Sequence, residues 1–147
     1  MPEQLSGPQL FLRYAFPCVQ DLLDTKKIDH VDFEELELLI KNSDEPDIIF
    51  LAICFSNAVR MLRRFSKYLD IEMWSLETVT EFWRNNHNHI GDCAVTKANV
   101  CSMTSDNLVA RIIAGNRSFG VVNTYKLDLK IGDDVYLHKR SVIEKME

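Results

Sequence analysis

The chain is poor in glycine and proline, with five and four among its 147 residues. That scarcity excludes collagen-like, linker-like and low-complexity architectures. It also lacks a long hydrophobic run. The longest, Ile48 to Phe55, has eight residues, whereas a membrane-spanning helix needs about 20. The run therefore reads as a buried core helix. The first residues, Met1 to Pro8, offer neither the basic nor the apolar region of an export signal. With no such signal, the four cysteines (Cys18, Cys54, Cys93 and Cys101) are expected to be reduced thiols in a cytoplasmic protein. Excess positive charge is missing too. A net charge of −5 speaks against nonspecific nucleic-acid binding, which relies on basic groups to neutralise phosphates. No phosphate-cradling glycine loop, G-x-S-x-G elbow or H-E-x-x-H pair is found.

What is present is an ordinary globular composition, 46 % hydrophobic and 27 % charged, whose character changes halfway. Pro8 after Ser6-Gly7 suits a helix start, with Leu10, Phe11, Tyr14 and Ala15 on one face. Pro17 should break that helix before Val19, Leu22 and Leu23. The Asp32 to Glu35 spacing reads as a capping box for a helix carrying Phe33, Leu36, Leu39 and Ile40. The strongest helical pattern starts near Asp44-Glu45-Pro46 and runs through Ile48, Leu51, Ala52, Phe55, Val59, Leu62, Phe65 and Leu69. Ser75 can cap a last helix containing Leu76, Val79, Phe82 and Trp83.

After Asn85 strand signals take over. Leu108 to Ala114 ends at a Gly115-Asn116 hairpin signal, Phe119 to Val122 follows, and Tyr125 to Leu129 alternates strictly. Val135 and Leu137 alternate with Tyr136 and His138 beyond a Gly132-Asp133 turn, and Val142-Ile143 makes a further short run. The expected fold is α+β: an N-terminal helical, bundle-like half (residues 1–90) packed on a small C-terminal antiparallel β-barrel (residues 91–147).

Three groups of side chains could carry chemistry. His87, His89, Cys93 and Cys101 fall within fifteen residues, and neutral imidazole with thiolate is a ligand set for zinc or iron. Helix capping by the histidines and core packing by the thiols is the alternative for the same residues. Arg60, Arg63, Arg64 and Lys67 recur at helical spacing and could meet an acidic protein partner, or the acidic residues of the 21–47 segment. Cys93 or Cys101, with His87 or His89 as base, would be needed for a small cysteine-dependent enzyme. Cys18 and Cys54 read as core thiols.

The C-terminal segment also carries a resemblance. Gly132, Asp133, Val135, Leu137 and His138, followed by Ile143, Glu144, Lys145, Met146 and Glu147, match G-D-x-V-x-[LV]-H and A-I-E-K-[LIM]-[DE] of the small hydrogenase-assembly chaperones. The resemblance implies a small β-barrel and a non-enzymatic metallocentre-assembly role. There a cysteine, helped by the strand histidine, would carry iron to a protein client. His138 takes the histidine position and Cys101 stands as the cysteine. Unlike the family's cysteine, Cys101 is internal, and Ser102 to Asp106 replaces the L-A-[IV]-P-G that follows it there. The Leu12 to Phe16 start together with the G-D-x-V-x-L-H tail further resembles a group of larger uncharacterised bacterial proteins, which implies no activity.

Overall fold

A computed structural model describes residues 4–86 and 95–146. The chain divides into two compact units, Met1–His87 and Asn88–Glu147, the first helical and the second a barrel. The α+β expectation holds.

The helical unit begins with α1 (Gly7–Ala15), opened by a reciprocal cap. The Ser6 hydroxyl accepts from the Gln9 backbone N–H at 3.2 Å, and the Gln9 side chain accepts from the Ser6 N–H at 2.9 Å. Gly7 permits close approach: a Cβ there would lie 1.9 Å from the Trp74 carbonyl oxygen. Phe16 to Cys18 tighten into a 3₁₀ turn at Pro17, and α2 (Val19–Asp24) follows. Pro17 thus breaks the helix as expected, since it cannot donate to a continuing helix.

α3 (His30–Asn42) starts earlier than its sequence pattern suggests. Its capping box is Asp29 with Asp32, not Asp32 with Glu35. An Asp at the cap satisfies the orphan N–H of Asp32 at 2.8 Å, and Asp32 returns the bond to the backbone of Asp29. The cap position needs a short side chain that reaches the backbone of its own first turn.

The long helix expected after Pro46 is two helices. α4 (Ile48–Cys54), capped by Asp47, stops at Phe55, whose φ −117° and ψ 52° leave the helical region, and α5 (Ser56–Leu69) restarts beyond it. Continuous apolar spacing hides this break because Phe55 still turns its ring inward, 4 % exposed. α6 (Leu76–Glu81) is capped by Ser75 as expected and runs into a wider π turn, Phe82–Asn86.

The unit closes around aromatic rings. Phe11 is fully buried and meets Phe55, Trp74 and Trp83 edge-on at centroid distances of 6.2, 5.3 and 5.3 Å. Tyr14 stacks flat on Trp83 at 5.5 Å. Edge-to-face and offset contacts of this kind add to the gain from burial alone.

The second unit is a closed barrel with strand order β1-β2-β3-β5-β4, where β1 is Thr96–Met103, β2 Val109–Ala114, β3 Arg117–Val122, β4 Asp134–His138 and β5 Ser141–Lys145. It is not wholly antiparallel: β3 meets β5 in parallel through the single pair Val122↔Ser141. Two of the three hairpins use two-residue turns. Gly115 has φ 62° in the first, and Lys139 and Arg140 have φ 50° and 64° in the second, the paired positive φ of a type I′ turn. The Arg140 guanidinium lies 5.2 Å from the centre of the Phe119 ring, so a cation–π contact ties this non-glycine turn back to β3.

The interior is aliphatic: Ala98, Val100, Ala110, Ile112, Val121, Leu129, Val135, Leu137 and Val142. Tyr125 to Leu129, expected as a strand, is irregular. Its alternation serves a different purpose, with Leu129 plugging the core and Leu127 packed beside it. Buried Asn123 replaces ladder pairing there. Its amide donates to the Asn107 and Leu127 carbonyls at 2.9 and 2.8 Å and accepts from the Leu127 N–H at 3.0 Å. Among the described residues no helix is long and apolar enough to cross a membrane.

Candidate functional site

His138 ends β4 and is completely buried. Strand alternation directs Val135 and Leu137 into the barrel and Tyr136 and His138 to the opposite face. Tyr136 is also buried, at 6 % exposure.

Cys101 sits at the bulge of β1, where the register shifts between Val100 and Ser102. Its thiol donates to the Arg111 carbonyl at 3.2 Å and is partly exposed. The bulge breaks the strict inward–outward rhythm of β1, which accounts for a cysteine beside a core strand that is neither fully buried nor free of the sheet.

The ladder separates these two residues. Thr96 pairs with Leu137 and Asn99 with Asp134, so β1 and β4 run in opposite directions. Cys101 lies toward one end of this pair of strands and His138 beyond the other. At roughly 3.3 Å per residue their Cα atoms are about 20 Å apart. The Cys101–His138 pairing expected from the resemblance is therefore not formed.

His87, His89 and Cys93 lie outside the described residues. Among the described residues no group of three or more His, Cys, Asp or Glu side chains is placed to hold a metal ion.

Cys54 is buried as expected, and Cys18 is half-buried. Burial, and then the carboxylates of Asp32, Glu35 and Asp29, push the Cys54 thiol up to about 12. It is protonated at neutral pH and poorly suited to act as a nucleophile.

The basic stripe lies on α5. Arg60, Arg63, Arg64 and Lys67 are all exposed. Arg60 donates to the Asn57 side-chain oxygen at 2.7 Å, and none of the four pairs with a carboxylate among the described residues. The expected alternative, neutralisation by the acidic 21–47 segment, is not what the helical unit does.

One surface escaped the sequence reading. α4 was expected to be enclosed, but only Leu51 and Cys54 are buried, whereas Ile48, Ile49 and Ile53 are exposed. Leu39, Ile49, Phe50 and Ile53 floor an open groove of about 480 Å³ rimmed by Glu35, Glu45 and Asp47. The apolar spacing of α4 carries no signal of this exposure, because a helix apolar on every side reads as buried.

Taken together, these features define an α+β chain with a helical unit and a closed five-stranded barrel, and with its unpaired surface chemistry on α3, α4 and α5. No family model matches the chain, and no curated protein or solved structure matches it.

Proposed function

We propose that the chain is a non-enzymatic, chaperone-like protein of metallocentre assembly, which engages its client by protein–protein contacts. The pairing of Thr96 with Leu137 carries this reading. The chain entering β1 arrives at the His138 end of β4, while Cys101 lies toward the far end. With Cys101 set apart from His138, we assign the metal-binding thiol to Cys93. Thiolate with neutral imidazole suits iron or zinc. A cytoplasmic setting that keeps thiols reduced belongs to the same reading.

The C-terminal resemblance and the closed barrel support the same assignment. The α5 face of Arg60, Arg63, Arg64 and Lys67 is the surface for an acidic protein partner. The acidity of the whole chain disfavours a nucleic-acid client.

Metal analysis of untagged protein prepared anaerobically tests the proposal. Bound iron or zinc is expected in the wild type and in Cys101→Ala, and is expected to be lost in Cys93→Ala and His138→Gln. Wild-type protein that takes up neither metal would sink the metallocentre reading. Loss in Cys101→Ala alone would return the role to that residue.

A further inference from the structure

Two faces of the helical unit are each incomplete in a complementary way. On α4, Ile49 and Ile53 are 68 % and 63 % exposed. Four residues apart, they share one helix face and continue into the groove floored by Leu39 and Phe50. The rim is acidic. Glu45 accepts from the Ser6 hydroxyl at 2.6 Å, and Asp47 caps α4 through the Ile49 and Phe50 N–H groups. Neither these two nor Glu35 meets a cation among the described residues. An apolar floor with an acidic rim fits an amphipathic helix whose polar side chains are basic.

α5 presents such a face. Arg60, Arg64 and Tyr68 follow at intervals of four on one side, flanked by Arg63 and Lys67. Tyr68 is 88 % exposed, an aromatic ring with nothing around it and cations on its own stripe. From Arg60 to Tyr68 the helix rises about 12 Å, comparable with the roughly 10 Å length of α4.

We propose that α5 of one copy docks in the α3–α4 groove of a second copy, so that the chain associates head to tail. Tyr68 enters the apolar floor, and Arg60, Arg64 and Lys67 meet the Glu35, Glu45 and Asp47 rim. The inference rests on the reading of α5 as a partner-binding surface and names the partner. The two faces differ, so the contact is heterologous and leaves one free face at each end, giving rings or open chains. The net charge of −5 opposes association at long range. Over a screening length of about 8–10 Å the local pairing of opposite charges dominates.

Sedimentation of the full chain across a concentration series, in low and high salt, tests the proposal. Species larger than one chain are expected in low salt, and they should shrink as salt rises. Arg60→Glu/Arg64→Glu and Glu35→Lys/Ile53→Lys should each weaken association by about tenfold or more. Both should keep the wild-type melting temperature, because every altered side chain is exposed. Mixing the two variants should restore association, since each retains the face the other has lost.

A wild type that stays a single chain at all concentrations in low salt overturns self-association, and so do variants that remain separate when mixed. A polyglutamate peptide separates the two failures. Salt-sensitive binding of it, lost in Arg60→Glu/Arg64→Glu, with a single-chain wild type leaves the α5 reading standing. No peptide binding and no association removes both.

Discussion

The two units solve the same packing problem with different side chains. The helical unit fills its centre with Phe11, Tyr14, Phe55, Phe82 and Trp83, all buried, whereas the barrel interior is Ala, Val, Ile and Leu throughout. Short helices crossing at varied angles leave wide, irregular gaps, and large flat rings fill them. A five-stranded barrel has a narrow lumen in which small branched side chains already reach close packing. The connections differ as well. Helix ends are closed by local polar caps such as Ser6 with Gln9 and Asp29 with Asp32, while the long barrel connection is held from inside by buried Asn123.

The sharpest way to break this comparison is to remove one side chain from each core. Phe11→Ala empties a site lined by three other rings and should cost about 3–5 kcal/mol. Ile112→Ala, at zero exposure in the barrel, should cost about 2–5 kcal/mol and be the milder of the two. Urea unfolding of both variants checks the order, and a costlier Ile112→Ala would mean that the aromatic centre is the more forgiving one.

A smaller effect separates the two kinds of connection. Asn123→Ala leaves the Asn107 carbonyl and the Leu127 N–H without their side-chain partner. It should cost about 1–3 kcal/mol for each buried group left unsatisfied. Asp29→Ala removes only a cap and should cost about 1 kcal/mol. Hydrogen exchange at the Leu127 amide reports the first, and equal costs for the two would erase the distinction.

The smallest expected effect concerns Cys54. Its folded-state pKa is raised from 9.0 to about 12, so the folded chain holds the proton that the unfolded chain releases. The contribution to stability is intact below pH 9 and is lost as pH climbs from there toward 12. Cys54→Ala should flatten that alkaline decline. At pH 8, alkylation of Cys54 should lag behind that of Cys18 and Cys101. Alkylation of all three at one rate would show that the helical interior is open to reagents.

Much of this architecture was legible beforehand, and the failures share a cause. Ser75, Pro17, the Gly115-Asn116 turn and the alternation of β4 act locally, so their patterns translate directly into structure. Phe55, Leu127 and Leu129 mislead because an apolar side chain reports burial and not backbone geometry. Phe55 ends a helix while still pointing inward, and Leu129 fills the barrel from a segment that joins no strand ladder. The β1 strand passed unnoticed because exposed Thr96 at the start of its inner side, and the bulge at Cys101, leave only Ala98 and Val100 as an apolar alternation. The separation of Cys101 from His138 is a matter of register, set by pairing between distant segments, and it cannot be read from either segment alone.

The one-pair seam between β3 and β5 has a consequence for how the barrel is made. Its three hairpins join neighbours across turns of two to five residues and can zip up on their own. Closing the ring requires β1 to find β4, and Val122 to find Ser141, across long stretches of chain, with the entropy of those loops lost before much is gained. The hairpins therefore form early and the ring shuts last. The seam that shuts last with the fewest bonds is also where the finished barrel first comes apart.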